Sequence, residues 1–337
     1  MSATHGIVLI CLIFVILCPG CTMTGDNAGT TPAATPSPTG TSYVIVETEP
    51  ETPLPTTPVV NVTEISMNTS VATKPPSAET LETGTNKQAY PYVIRSMSQF
   101  LYFNTYEGVL DYLQDKYPAR PKDFFSSAPS ENDYRQYISD PVQKSCIDGF
   151  VENIRDRSDL PQERVRIAVS LVQHIPYNTS SGNLYPYEVL YYNAGRSGDK
   201  SILAAYLISE MGYGTALFVY IPERHVALGL KCPKQYSTGG SGYCFVETTY
   251  PAIMTYSNGT YAGVGKLTSS PVIIPIADGE SFDQIAEEYV DAASYQATLN
   301  SAVANTTGTY MDTINYDIYG DLRQKYGLFD LDLVNVR

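Results

Sequence analysis

The sequence predicts an α+β fold, with helices first and an antiparallel sheet afterwards. Between residues 142 and 211 apolar side chains recur at spacings of three and four, the period of helices that bury one face. Between residues 215 and 249 three short runs rich in Val, Leu, Phe and Tyr follow one another, each bounded by turn residues, as paired strands do. Segregating helices from strands in this way packs the helices onto an antiparallel sheet.

Each element has its own signal. Residues 94–117 mix Met, Phe, Leu, Tyr and Val at spacings of three and four before Pro118, which predicts one or two short helices. Residues 121–140 read as a polar connection. Residues 142–154 read as a helix, and Pro161 suits the first turn of the next, where Val165, Ala168, Leu171, Val172 and Ile175 form one apolar stripe. Pro176 ends that helix, and a loop runs through Tyr185-Pro186-Tyr187-Glu188. A helix is expected over 199–211, with Ile202, Leu203, Tyr206, Leu207 and Met211 on its core face and Gly212 as its stop. Strands follow at 215–221, 225–231 and 243–249. Asn258-Gly259, between Tyr256 and Tyr261, reads as a tight hairpin turn, and residues 272–276 as a further strand. A C-terminal helix over 282–299 has Ser281 as its cap and Glu287-Glu288 in its first half. No internal repeat is visible.

The ends of the chain bear on compartment. The 337 residues suffice for one or two domains. Residues 7–18 are an unbroken apolar run, short for a spanning helix and suited to the core of a signal peptide. It runs into Cys18-Pro19-Gly20-Cys21, which resembles a lipoprotein processing site. Lipidation of Cys21 would hold the mature chain on the outer face of the membrane; an uncleaved N-terminal anchor is the alternative. Residues 22–88 form a Thr/Pro-rich tract unable to bury enough apolar surface to offset ordering entropy, which reads as a disordered stalk. Sequons at Asn61, Asn68, Asn178, Asn258 and Asn305 fit a glycosylated surface protein. The expected organisation is therefore signal segment 1–21, stalk 22–88 and globular domain 89–337.

Charge and cysteines narrow the function classes. With 21 Lys and Arg against 35 Asp and Glu the net charge is −14, and no basic stripe is present, so a nucleic-acid ligand is not expected. Twenty-eight Tyr and no Trp provide aromatic core material carrying a polar end. In an oxidising compartment Cys232 and Cys244, flanking a Gly/Ser/Tyr loop, are expected to staple a hairpin. Cys146 then remains as a buried structural thiol. The remaining histidines, His174 and His225, and the absence of Cys-x-x-Cys or His-x-x-x-His spacing give no metal site, and no cofactor is implied. The run Thr238-Gly239-Gly240-Ser241-Gly242 lacks the Lys and following helix of a phosphate loop and reads as a hairpin tip.

The chemistry-bearing pattern is Gly195-Arg196-Ser197-Gly198-Asp199-Lys200-Ser201 opening a helix, then His225 in His-Val-Ala-Leu-Gly and Glu247 in Glu-Thr-Thr. A hydroxyl at a helix N-terminus, an imidazole on one strand and a carboxylate on the next are the parts of an acyl-transfer triad. If Cys232 and Cys244 face each other across an antiparallel pair, strand parity places His225 and Glu247 together on the face away from the disulfide. Ser197 and Asp199 also serve as helix-capping residues. His174 reads as a structural histidine, and Tyr185 and Glu188 as packing residues beside the helix.

These pieces, together with Val172-Gln173-His174-Ile175-Pro176-Tyr177 and Tyr185-Pro186-Tyr187-Glu188-Val189-Leu190, occur in an order that resembles the transglutaminase-like superfamily, a papain-related group of thiol enzymes. The resemblance covers residues 137–249, with 250–337 as a C-terminal extension. It implies a nucleophilic cysteine where Ser197 stands, a base at His225 and an orienting carboxylate, usually Asp, where Glu247 stands. Asp199 and Lys200 are implied to shape the start of the helix. A serine hydroxyl is far less acidic than a thiol and cannot rest as a thiolate-like anion beside an imidazolium. The expectation is an exported, membrane-anchored protein, inert by the thiol mechanism, that binds peptide, protein or envelope glycan. Its alternative is an active acyl-transfer enzyme using a Ser197-His225-Glu247 triad. A third reading is a purely interacting domain with its cleft filled by side chains.

Overall fold

The computed structural model describes residues 76–118, 123–125, 130–180, 183–257, 260–261, 265–304 and 313–328. The signal segment, Cys21, most of the stalk and the sequons at Asn61, Asn68, Asn258 and Asn305 lie outside the described residues. The class is α+β, and every pairing between the described strands is antiparallel.

Folded structure begins earlier than the composition indicates. A 3₁₀ turn at Ala78–Leu81 precedes strand β1 (Thr85–Ile94), so the last residues assigned to the stalk belong to the folded part. β1 pairs with β2 (Met97–Tyr106) in continuous register from Thr85↔Tyr106 to Ile94↔Met97. This hairpin replaces most of the helix expected over 94–117, whose only helical part is α1 (Glu107–Lys116). Burial along β2 alternates with period two, Leu101 and Thr105 inward and Phe100 and Tyr102 outward. Aromatic residues on both faces hid that alternation in the sequence. The turn hid itself as well: Arg95 and Ser96 both adopt positive φ, 47° and 66°, the geometry of a two-residue primed turn, without the Asn-Gly that normally announces one. Pro91 lacks an N–H, which a two-stranded sheet tolerates because each strand has an open edge.

Four helices then assemble beside the hairpin. After the short α2 (Glu131–Arg135), α3 (Pro141–Arg155) opens on Asp140, whose Oδ1 accepts from the N–H groups of Val142 and Gln143 at 2.9 Å each. α4 (Pro161–His174) has proline in its first turn and ends before Pro176. The segment read as a loop at Pro186 is helix α5 (Pro186–Tyr192), closed at its start by Glu188, whose Oε2 accepts from Tyr185 N–H at 2.8 Å. α6 (Ser197–Glu210) is buried at every position from Ser197 to Ile208, polar Ser197, Asp199, Lys200 and Ser201 included, and not only along the expected core face. It begins two residues earlier than the spacing predicts, and its N-cap is Arg196, not Ser197.

The central sheet follows: β3 (Thr215–Tyr220), β4 (His225–Lys231), β5 (Tyr243–Val246) and β8 (Val272–Ala277), in the order β5-β4-β3-β8. β3 is buried at every position because both sheet faces are covered. One face (Leu217, Val219, Val226, Leu228, Leu230) belongs to the core that contains α6, and the other (Phe218, Tyr220, Ala227, Phe245) to a second core. That second core is completed by residues of α7 (Ala286–Ala304) and α8 (Thr313–Tyr326), where Tyr295 and Tyr319 stack at 5.4 Å. α8 was not anticipated: its run of Asn, Asp and Tyr carries little apolar periodicity. Ser281 does not cap α7, which is entered through a 3₁₀ turn at Asp283–Ile285 preceded by Phe282. β6 (Thr260–Tyr261) pairs antiparallel with β7 (Gly265–Lys266), and the turn expected at Asn258-Gly259 lies outside the described residues.

Cys232 and Cys244 form the expected disulfide, with Cα atoms 5.8 Å apart. They are not directly opposite. Cys244 pairs with Leu230, and Cys232 donates its N–H to Gly242 at 2.9 Å, so the bridge runs diagonally across the β4–β5 loop. The offset is two residues, which leaves the parity of the two strands unchanged. The Gly-rich stretch between them holds short 3₁₀ turns with Gly239, Gly240 and Gly242 at positive φ.

Candidate functional site

The site lies where the start of α6 meets the start of β4 and the end of β5. Ser197 is the first residue of α6, facing the positive end of the helix dipole and its unsatisfied N–H groups. Asp199 secures that start: Oδ2 accepts from Arg196 N–H and Oδ1 from Leu184 N–H, both at 3.0 Å. Burial pushes the Asp199 carboxyl up to about 6 against these donors. Gly195 sits in close quarters, since a Cβ there would lie 3.3 Å from Asp199 Cβ and Lys200 Cγ.

His225 opens β4 directly after a tight turn in which Arg224 takes φ 51°. The half-buried Glu223 carboxylate in that turn accepts from the backbone N–H and hydroxyl groups of Thr268 and Ser269, which ties the turn to the segment entering β8. Those donors hold the Glu223 pKa down at about 2.

Glu247 follows the last residue of β5. Its Oε2 lies 2.9 Å from His225 Nε2, and both side chains are fully buried. Its Oε1 accepts from Thr248 N–H, Thr249 N–H and Thr249 Oγ1 at 3.0, 2.8 and 2.5 Å. Burial pushes the Glu247 carboxyl up, but the adjacent imidazole and the Thr249 donors outweigh it and hold the pKa below the usual carboxylate range. With Nε2–H donating to Glu247, a neutral imidazole presents Nδ1 as its basic nitrogen. Strand parity therefore joins His225 and Glu247 on one face as expected, although the disulfide premise was diagonal.

Two serines of α6, one helical turn apart, bracket Val226, the residue after His225. Val226 N–H donates to Ser197 Oγ at 3.4 Å, and Ser201 Oγ donates to Val226 C=O at 3.1 Å. Ser201 Oγ also lies 2.8 Å from Thr248 Oγ1, which joins the helix to the Glu247 segment.

Beneath the site is a polar frame that the sequence did not reveal. Gln173 Nε2 donates to the carbonyls of Glu247 and Ala252, at 2.8 and 2.9 Å. Lys200, fully buried, donates to the carbonyls of Gln173, Ile175 and Thr249 at 3.3, 2.5 and 2.8 Å. Burial drives its pKa down to about 7, opposed by the Glu247 charge. Lys200 thus does more than shape the start of a helix: it clamps the end of α4 to the segment carrying Glu247.

Aromatic rings pack against the start of α6. Ser197 is 5% exposed. The Phe124 ring occupies the space beside Gly198, where an added Cβ would approach it to 2.4 Å. Phe124 stacks on Tyr134 at 5.3 Å and on Tyr137 at 5.8 Å. Asp123 pairs with Arg224 at 3.2 Å, and the Arg224 guanidinium lies 4.9 Å above the Phe125 ring, fastening this segment to the turn that carries His225.

No family model, curated protein or solved structure matches the chain. The site therefore rests on its own geometry.

The other singled-out residues lie apart from it. His174 holds a contact of 2.7 Å from Nδ1 to Ser170 C=O, and burial lowers its pKa. Tyr185 and Glu188 are buried at the start of α5, serving that helix's cap and core. The Cys146 thiol is pushed up to about 12, chiefly by burial, which makes it a poor nucleophile. Asn178 is exposed after α4, its Oδ1 accepting from Ser180 N–H at 2.8 Å. Among the described residues no group of three or more His, Cys, Asp or Glu is placed to hold a metal, and no helix is long and apolar enough to cross a membrane.

Proposed function

We propose that the chain is an exported, surface-anchored protein whose folded part is a transglutaminase-like domain without thiol chemistry, acting as a peptide- or glycan-binding module of the cell envelope. The observation that carries this reading is a buried His225–Glu247 pair, 2.9 Å apart, set against a helix whose first residue is a buried serine. The imidazole–carboxylate pair is present, while Ser197 Oγ accepts from Val226 N–H, is not ionised near neutral pH and is buried. The apolar run at residues 7–18 and the Thr/Pro-rich tract after it support export and anchoring.

The same pair supports a second reading, acyl transfer by serine. Ser197 Oγ would attack an amide or ester carbonyl as His225 Nδ1 takes its proton. His225 would then protonate the leaving amine or alcohol, and water would release the acyl group by the reverse of these steps. Glu247 would orient the imidazole and stabilise its cation. The α6 N–H groups would receive the oxyanion.

One comparison separates the two. Full-length protein carrying Cys146→Ser is assayed for amide hydrolysis and amine incorporation beside the same protein with Ser197→Cys. The first reading expects no turnover and no fluorophosphonate adduct on wild-type Ser197. An adduct at Ser197, with turnover lost in Ser197→Ala, would replace it with the second. Gain of His225-dependent activity by Ser197→Cys would identify a centre that lost only its sulfur.

A further inference from the structure

A separate cleft lies beside the second core, between the disulfide-closed loop after β4, the segment after β5 and one side of α7. Its volume is about 360 Å³, at the lower end of the ~300–1,000 Å³ usual for small-ligand sites. Tyr236 and Thr238 contribute one wall and Thr255 another. Tyr289, Ala293 and Gln296, which share one face of α7, contribute the third.

The cleft is uncharged. Among the described residues none of its lining side chains is acidic or basic, in a chain with 21 Lys and Arg and 35 Asp and Glu. It offers aromatic faces beside neutral hydroxyl and amide groups instead. The Tyr236 and Tyr289 ring centroids lie 5.1 Å apart with the rings tilted at 54°, and Tyr289 is 43% exposed. The Thr238 hydroxyl and the Gln296 amide make no hydrogen bond among the described residues, and both side chains are half-buried and reach solvent. Both are therefore open to a ligand.

The frame is fixed before any ligand arrives. The Cys232–Cys244 bridge closes the loop, and within it Ser237 Oγ donates to Lys234 C=O at 2.8 Å and accepts from Gly242 N–H at 3.1 Å. Thr255 stands at φ 73°, a left-handed conformation that is costly for a β-branched residue. Its N–H donates to Phe245 C=O at 2.7 Å, which holds it there. Strain of this kind persists only where the surroundings over-determine it, and it concentrates at binding sites.

We infer that the cleft binds a neutral pyranose, the terminal sugar of a glycan, with its C–H face against Tyr289 and its hydroxyls on Thr238 and Gln296. A sugar ring joins an apolar C–H face to a rim of hydroxyls, each both donor and acceptor. That matches aromatic faces set beside uncharged polar groups. An ionic ligand would lose hydration here with no opposite charge to replace it. The inference goes beyond the reading of the Ser197 site, because neither Ser197, His225 nor Glu247 lines the cleft. The two can therefore fail separately.

The test is titration of the full chain with methyl α-glucoside, methyl α-mannoside, methyl β-galactoside and N-acetylglucosamine, followed by amide and aromatic NMR. Glucuronate and acetyl-trialanine amide are titrated beside them. Millimolar binding of at least one neutral sugar is expected, with shifts centred on Tyr236, Thr238 and Tyr289, and at least tenfold weaker binding of glucuronate and of the peptide. Tyr289→Ala should weaken the sugar about tenfold, and Tyr289→Phe, which keeps the ring, should hold it within about threefold. Ala293→Leu, at an exposed helix position that tolerates leucine, fills the cleft and should abolish binding. No binding of any neutral sugar, equal affinity for glucuronate or the peptide, or unchanged affinity in Tyr289→Ala or Ala293→Leu would each overturn the proposal.

Discussion

At the scale of single residues, the site is a buried electrostatic assembly in which each charge depends on specific donors. Glu247 has a folded pKa below its unfolded value of about 4.3, so the unfolded chain binds more protons in acid. Its contribution is complete above that value and is lost as pH falls through the folded pKa. Glu247→Gln should therefore flatten the acid limb of stability against pH and cost about 1–3 kcal/mol at pH 7; chemical denaturation from pH 3 to 7 reads both. An acid limb as steep as that of wild type would show that another carboxylate governs it.

Lys200 carries the same sign in a higher pH window. Its folded pKa of about 7 lies below the unfolded value of about 10.4, so the unfolded chain binds one more proton between them. Stability should rise with pH across that window, and Lys200→Met should remove the rise. The same variant leaves the carbonyls of Gln173, Ile175 and Thr249 without their donor, so a net loss of about 2–4 kcal/mol is expected. Denaturation of both proteins at pH 7 and 9.5 decides it. A flat wild-type profile would mean that the three carbonyls retain the proton on Lys200.

At the scale of elements, α3 and α4 were legible because their ends are written locally: a proline in each first turn, Asp140 before α3 and Pro176 after α4. β1 and β2 were not, because their turn places two ordinary residues at positive φ and Phe100 and Tyr102 face solvent. Backbone strain at Ser96 is relieved by glycine, so Ser96→Gly should stabilise the protein by about 0.5–1 kcal/mol with no change in the hairpin. A loss of stability would indicate that the link from Ser96 N–H to Lys325 C=O, 3.2 Å, needs the serine conformation. α5 was missed because seven residues show too little period to distinguish a helix from a loop, and its stop is Asn193 at φ 46°.

At the scale of the whole molecule, three layers decide what the site can do. α6 covers one sheet face, α7 and α8 cover the other, and the Phe124 ring packs against the start of α6 at Gly198. In a Ser197→Cys, Cys146→Ser background, Phe124→Ala should raise the iodoacetamide rate at residue 197 at least tenfold and cost about 3 kcal/mol. An unchanged rate would place the barrier elsewhere.

By itself the sequence determined the class, the order of most helices and strands, the Cys232–Cys244 pair and the pairing of His225 with Glu247. Each follows from a local period, a cap or strand parity, physics confined to neighbouring residues. Only the tertiary structure decided that Ser197 is buried, that Phe124 packs against Gly198, and that Lys200 and Gln173 tie α4 to the Glu247 segment. Those arrangements join residues 25 to 74 positions apart, such as Lys200 with Ile175 and Gln173 with Glu247. They exist because buried donors and acceptors must find partners wherever the chain's packing places them.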